Sequence, residues 1–190
     1  MNALRIQLTI DPARDIQQLE MIPVGPYQSK HLGTTISAWI ITPDALESYR
    51  VPAIQKSYPI APYLDDPNGT QLKIAVEVNV DGKTIGKTNC NVMDWTFEQL
   101  VAHQSSAGCG LRAGDLLGIG TISGPSPEEQ GCLLEGHVPG GTPRREYIQD
   151  GETVQLLGYC GEGVGFGDCQ AKILPALDAT TWEYKAPTTS

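Results

Sequence analysis

Lys73-Ile74-Ala75-Val76-Glu77-Val78-Asn79-Val80-Asp81-Gly82-Lys83 is the stretch that decides the fold. Ile74, Val76, Val78 and Val80 alternate with Lys73, Ala75, Glu77 and Asn79, the period of two expected of a half-buried strand. Asp81-Gly82 then forms a tight two-residue hairpin turn, because such turns need the positive φ that Gly adopts freely. A strand is therefore predicted over 73–80, with its antiparallel return over Lys83 to Asn91.

Working outward, strand signals recur on both sides. Thr34 to Ile41 carries β-branched Thr34, Thr35, Ile36, Ile40 and Ile41 around Trp39. Asp115 to Ile122, Leu133 to His137 and Thr153 to Tyr159 read as further strands, the last after an Asp150-Gly151 turn. Predicted helices are short. Asp11-Pro12 opens one through about Glu20, with Asp as N-cap and Pro at the first helical position. Thr42-Pro43-Asp44 starts another. Thr96 to Gln104 is amphipathic and is expected to bury Phe97, Leu100 and Val101. Val51 to Asn68 is Pro-rich and irregular, and Gly161 to Gly167 reads as a turn and bulge. No repeat or linker divides the chain. Strands dominate, so the expected architecture is mainly β with short helices, a roll or barrel.

Composition narrows the function classes. The chain has 190 residues, 40% hydrophobic and 18% charged, enough for one domain with a real core and too apolar for disorder. Twenty-one Gly and 14 Pro show no period, so they mark loops and not collagen. Thirteen basic against 22 acidic residues give a net charge of −9. That surface is a poor grip for nucleic acid or an anionic membrane. Cys90, Cys109, Cys132, Cys160 and Cys169 are odd in number and lack C-x-x-C spacing, so reduced, partly buried thiols are expected. The N-terminus has no apolar signal core, and no run approaches the roughly 18 apolar residues of a membrane span. The expectation is a soluble, cytoplasmic protein.

Four clusters could carry chemistry. Arg14 and Gln17 lie three apart, so on a helix they share one face and could hold a carbonyl oxygen as it gains charge. A solvated helix face is the alternative. Gly25-Pro26-Tyr27-Gln28-Ser29-Lys30-His31-Leu32-Gly33-Thr34-Thr35 could bring an ammonium and a hydroxyl to one small ligand or ion, but its order is not that of a phosphate-binding loop. Leu111 to Gly124 is Gly-rich, and as a strand its Thr121 and Ser123 would face the same way. A Gly-rich core strand is the alternative there. Glu135 follows the apolar pair Leu133-Leu134, so it is either a solvent-exposed strand end or a buried carboxylate needing a partner. His31, His103 and His137 have no metal-ligand spacing and read as structural or surface residues.

Together these segments resemble the fumarylacetoacetate hydrolase family. The matching stretches are Ala13-Arg-Asp-Ile-Gln17, Pro23-Val-Gly-Pro26 through Lys30, and Gly33-Thr-Thr35. They continue with Gly114-Asp-Leu-Leu117, Gly120-Thr-Ile-Ser-Gly-Pro125, Gly158-Tyr-Cys160, Gly165-Phe-Gly167 and Lys172-Ile-Leu-Pro-Ala176. The resemblance implies a mixed β-roll of the family's C-terminal type over 13–177, a divergent or truncated start over 1–12 and a tail over 178–190. It implies hydrolytic cleavage of a carbon–carbon bond in a β-diketo acid, 4-fumarylacetoacetate, to fumarate and acetoacetate, the last step of tyrosine and phenylalanine catabolism. The family works with calcium or magnesium and is usually homodimeric.

Carried over residue by residue, the resemblance makes Glu135 the carboxylate that orients a general-base His. Arg14, Gln17 and Lys30 hold the developing oxyanion. Gln17 and Thr121 touch substrate, and Lys30 and Thr34 lie at the cation. Ile10 stands where the family has a metal-binding Asp, with Asp11 an imperfect substitute, and Met21 replaces a frequent Tyr. The family's general-base His and most acidic metal ligands correspond to positions upstream of Met1. This 190-residue chain alone is therefore expected to be weak or inactive. A non-catalytic β scaffold or partner-binding form is one alternative, and a keto-acid isomerase or decarboxylase of the same superfamily is another.

Overall fold

The computed structural model describes residues 7–9, 14–31 and 33–177. In chain order the elements are β1 (Gln7–Thr9), α1 (Arg14–Glu20), β2 (Thr34–Ile36), α2 (Pro43–Leu46), β3 (Arg50–Pro52), β4 (Thr70–Leu72), β5 (Ala75–Val80) and β6 (Lys83–Asn89). They continue with α3 (Phe97–Ser106), α4 (Leu134–His137), β7 (Thr153–Cys160), β8 (Val164–Gly165) and β9 (Cys169–Lys172). The predicted helix start at Asp11-Pro12 and the predicted tail lie outside the described residues.

The hairpin of β5 and β6 forms as its alternation requires, turning at Asp81-Gly82 with Asp81 at φ 47°. It seeds an open antiparallel sheet in the order β6-β5-β7-β8, with β9 also on β7. β5 pairs with β7 in continuous register from Ala75 opposite Tyr159 to Val80 opposite Val154. The β5–β6 register shifts between Val78 and Asn79, leaving Ile85 as an extra residue on β6. Ile74 joins Leu46, Leu72, Cys90, Cys160 and Phe166 in one buried cluster. Val80, Val154 and Cys169 form a second. Of the five cysteines, Cys90, Cys160 and Cys169 are buried. The antiparallel β1–β2 pair lies beside β7 and β9, where the Cys169 thiol donates to the Thr35 carbonyl at 3.3 Å. The described sheets are open and none closes into a barrel. No helix among the described residues is long and apolar enough to cross a membrane.

Four expectations are corrected. The strand predicted to Ile41 stops at Ile36. Ser37 is fully buried and its hydroxyl bonds the Trp39 carbonyl at 3.4 Å, a local bond that competes with a ladder. Asp115 to Ile122 is not a strand. Gly118 and Gly120 offer no side chain to pack, Leu116 and Leu117 stay exposed, and the described residues give this segment no ladder partner. Leu133 to His137 contains the helical turn α4, opened by the Glu135 amide on the Cys132 carbonyl at 3.3 Å and the Gly136 amide on the Leu133 carbonyl at 3.2 Å, with Glu135 Oε1 accepting from the Cys132 amide at 3.1 Å. In α3, Phe97, Leu100 and Val101 are only half-buried. The enclosed residue is Gln99, which closes a capping box with Thr96 and donates to the Leu64 carbonyl at 2.8 Å.

Candidate functional site

The first two sequence clusters meet at one corner. α1 carries Arg14 and Gln17 and ends at Glu20, and a 3₁₀ turn over Gln28–Lys30 packs against it. The Glu20 carboxylate joins them. Oε2 accepts from the Tyr27 amide at 2.7 Å, the Ser29 amide at 3.2 Å and the Ser29 hydroxyl at 2.8 Å. Oε1 accepts from the Gln28 amide at 3.0 Å. These donors, the Tyr27 amide first, hold the carboxyl down at about 2. Gln17 is half-buried, whereas Lys30 and Thr34 are exposed. Thr34 sits in β2 opposite Thr9. The Arg14 side chain and Asp11 lie outside what is described.

The other two clusters meet at a second corner. Ser123 donates to Glu135 Oε1 at 2.7 Å and accepts from the Gly131 amide at 3.2 Å. With the Cys132 amide, this fixes the half-buried Glu135 from two sides. Thr121 lies alongside: a side chain on Gly131 would meet Thr121 Cγ2 at 2.6 Å and the Ile122 carbonyl at 2.2 Å, so only Gly permits this approach. Arg144 pins the same loop to the sheet. Its guanidinium donates to the Ile85, Glu128 and Gln130 carbonyls. Ile85 is the bulged residue of β6, and neighbouring Gly86 leaves room for the guanidinium. Burial pushes Arg144 down, with Glu135 and Glu128 pulling the other way. His137 stacks on Tyr147 at 4.4 Å, and its Nδ1–H donates to the Leu133 carbonyl at 2.8 Å, leaving Nε2 as the enclosed lone pair.

The structure thus couples Gln17's helix to Lys30's loop, and Thr121's segment to Glu135. Chemically the first corner offers cationic and amide donors, and the second an anchored carboxylate. The residues that sequence reasoning missed are those that hold them: Glu20, Ser123 as the partner of Glu135, and Arg144. Glu20 carries a signal, since a carboxylate in the last turn of a helix opposes the macrodipole and calls for compensating donors. Gly86 inside a strand is the corresponding signal for Arg144. A cleft of about 450 Å³ opens elsewhere, beside Lys56, Tyr58, Asp65 and Asp66, and no expected site residue lines it.

The expected calcium or magnesium is not matched by this donor set. Such hard cations take several oxygens, usually carboxylates. Of the two ligand positions described, Thr34 offers one neutral hydroxyl and Lys30 a cation that repels another. Among the described residues, no three His, Cys, Asp or Glu side chains gather as a metal-holding group.

An open, mainly-β domain with polar residues held on loops at its rim is the class that fold and site define. Residues 8–174 match the model of the fumarylacetoacetate hydrolase C-terminal domain. The chain is 42% identical over 179 residues to a fumarylacetoacetase of Arabidopsis thaliana, covering 86% of this chain and 42% of that protein. It is 42% identical over 181 residues to one of Homo sapiens, covering 87% and 43%. A Dictyostelium discoideum fumarylacetoacetase is 39% identical over 183 residues, covering 86% and 43%. The chain belongs to the fumarylacetoacetate hydrolase family. It spans less than half the length of these curated relatives.

Proposed function

We propose that the chain contributes the oxyanion-holding and base-orienting part of a site that hydrolyses 4-fumarylacetoacetate to fumarate and acetoacetate. Addition of water to the ketone puts charge on its oxygen. Arg14, Gln17 and Lys30 supply positive or N–H donors to that oxygen, and preorganised donors of this kind are worth about 3 kcal/mol each when removed. Thr121 would contact the substrate. Glu135 would orient the imidazole that takes a proton from water, acting through that His and not on the substrate itself.

The observation that carries this reading is the anchored Glu135 carboxylate, gripped by Ser123 and the Cys132 amide. A solvated strand-end Glu needs neither grip. Calcium or magnesium at this site would need carboxylates beyond the described residues.

The test is an NMR titration of the purified 190-residue chain with acetoacetate, beside a turnover assay with product analysis. Acetoacetate is expected to bind, and Lys30→Met to weaken that binding about ten-fold or more, as loss of a charged donor to an anion does. Turnover by the chain alone is expected to be weak or absent, with fumarate and acetoacetate as the products of any that occurs. Unchanged acetoacetate binding in Lys30→Met, or an isomerised or decarboxylated product, would overturn the assignment.

A further inference from the structure

We infer that Glu20 is a positioning residue that sets Lys30 against the helix bearing Arg14 and Gln17. This inference rests on the function proposed above and concerns how that site is assembled. Lys30 reaches the corner from a loop, so the origin of its flexible stem is set by how the loop backbone is held. Glu20 holds it. Three consecutive amides, those of Tyr27, Gln28 and Ser29, converge on the one carboxylate, and the Ser29 hydroxyl adds a fourth donor. Successive amides folded around an anion form a rigid concavity. Here the anion belongs to the chain itself, and the next residue is Lys30.

Two further features make the clamp stiff. Both carboxylate oxygens are engaged, so rotation about the last side-chain torsion would break bonds at each. Ser29 is fully buried, so the turn cannot slide without exposing it. The Lys30 amide also bonds the Tyr27 carbonyl at 3.2 Å and that of His31 the Gln28 carbonyl at 3.0 Å, closing the turn around the clamped residues. Because Glu20 is the last residue of α1, any movement of the helix is passed directly to the turn. The clamp therefore acts on the relative placement of the two donor-bearing segments, and Glu20 itself touches neither substrate nor reacting atoms.

Glu20→Ala removes all four bonds. Glu20→Gln keeps an oxygen able to take the Oε2 set and loses only the Gln28 bond and the charge. Both variants of the whole chain are titrated with acetoacetate, and the Lys30 Nζ environment is read separately from ¹³C-dimethylated lysine spectra assigned with Lys30→Met. Glu20→Ala is expected to weaken acetoacetate binding about ten-fold and to shift the Lys30 resonance, and Glu20→Gln to stay within about three-fold of the parent. The thermal midpoint of the sheet is expected to stay the same in both. Parental binding and an unmoved Lys30 resonance in Glu20→Ala, with binding still lost in Lys30→Met, overturns the role of Glu20 alone. An equal loss in both variants with the Lys30 resonance in place also overturns it. If Lys30→Met leaves binding untouched, the proposed function fails instead, and the Lys30 resonance still decides whether Glu20 positions that side chain.

Discussion

Across β5, each residue from Ala75 to Val80 faces a ladder partner on β6 or β7, while between Gly110 and Ser123 the described chain runs with no ladder. The strand hides apolar surface: Ile74, which leads into it, and Val80, which ends it, belong to the two buried clusters. The Gly-rich segment leaves Leu111, Leu116 and Leu117 exposed and is secured at its end by Ser123 Oγ on Glu135, while the Arg144 guanidinium holds the following loop at Gln130. The sheet thus rests on many weak, non-directional contacts, which fail together. The Glu135 corner rests on a few directional bonds, which can fail one at a time. Substitutions in the two regions should differ in kind, global in the first and local in the second.

The comparison can be broken most easily at Phe166, which is 1% exposed at the centre of the larger cluster. Phe166→Ala should cost about 3–5 kcal/mol through lost burial and the cavity left behind. Urea unfolding would report it as a lower midpoint for the whole molecule, with exchange accelerated at β5 and at the Glu135 corner alike. A loss confined to one region would mean that the two are not one cooperative unit.

Arg144→Met is expected to cost about 2 kcal/mol locally, since a charged donor to the half-buried Ile85 and Gln130 carbonyls is removed. Hydrogen exchange is the readout: the Gly131 and Cys132 amides should exchange roughly thirty-fold faster while β5 and β7 keep their protection. Arg144→Lys should not restore them, because a point ammonium cannot span Ile85 and Gln130 as the planar fork does. Ser123→Ala is smaller, about 1 kcal/mol, and should release the Gly131 amide first. Equal acceleration in β5 would remove the distinction between the regions.

The same contrast explains what the sequence disclosed. The β5–β6 hairpin was legible because alternation and an Asp-Gly turn are local signals. Glu135 was legible as a carboxylate in need of a partner, but that partner, Ser123, lies 12 residues away, and no periodicity links them. The Gly-rich segment misled because its Leu and Ile residues have the composition of a strand, whereas strand formation depends on a neighbour that local sequence does not specify. Leu133 to His137 misled for a related reason, since short-range backbone bonds, with Glu135 accepting from the Cys132 amide, wind a helical turn that an apolar pair does not announce. Glu20 was legible only as a carboxylate at a helix end, because its donors exist only once the loop after Met21 has curled back.

The mildest test concerns charge on the wet face of the sheet. Glu77 on β5 accepts from Lys87 on β6 and from the Tyr159 hydroxyl on β7, and these bonds, Lys87 first, hold its carboxyl below the ordinary carboxylate value. A carboxyl lowered by folding adds stability that is fully present above about 4.5, its unfolded value, and that disappears as pH falls through the folded one. Lys87 is raised by the same contact, so its share persists until pH climbs past about 10.5. Glu77→Gln should therefore lower the unfolding midpoint slightly at pH 7 and flatten the acid limb below pH 4.5, each effect shrinking in high salt because Lys87 is mostly exposed. Exchange at the Gly131 amide should not respond, because this charge network belongs to the sheet. A response there would show that β5 and the Glu135 corner communicate through Ile85, whose carbonyl lies on the same strand as Lys87 and on the Arg144 guanidinium.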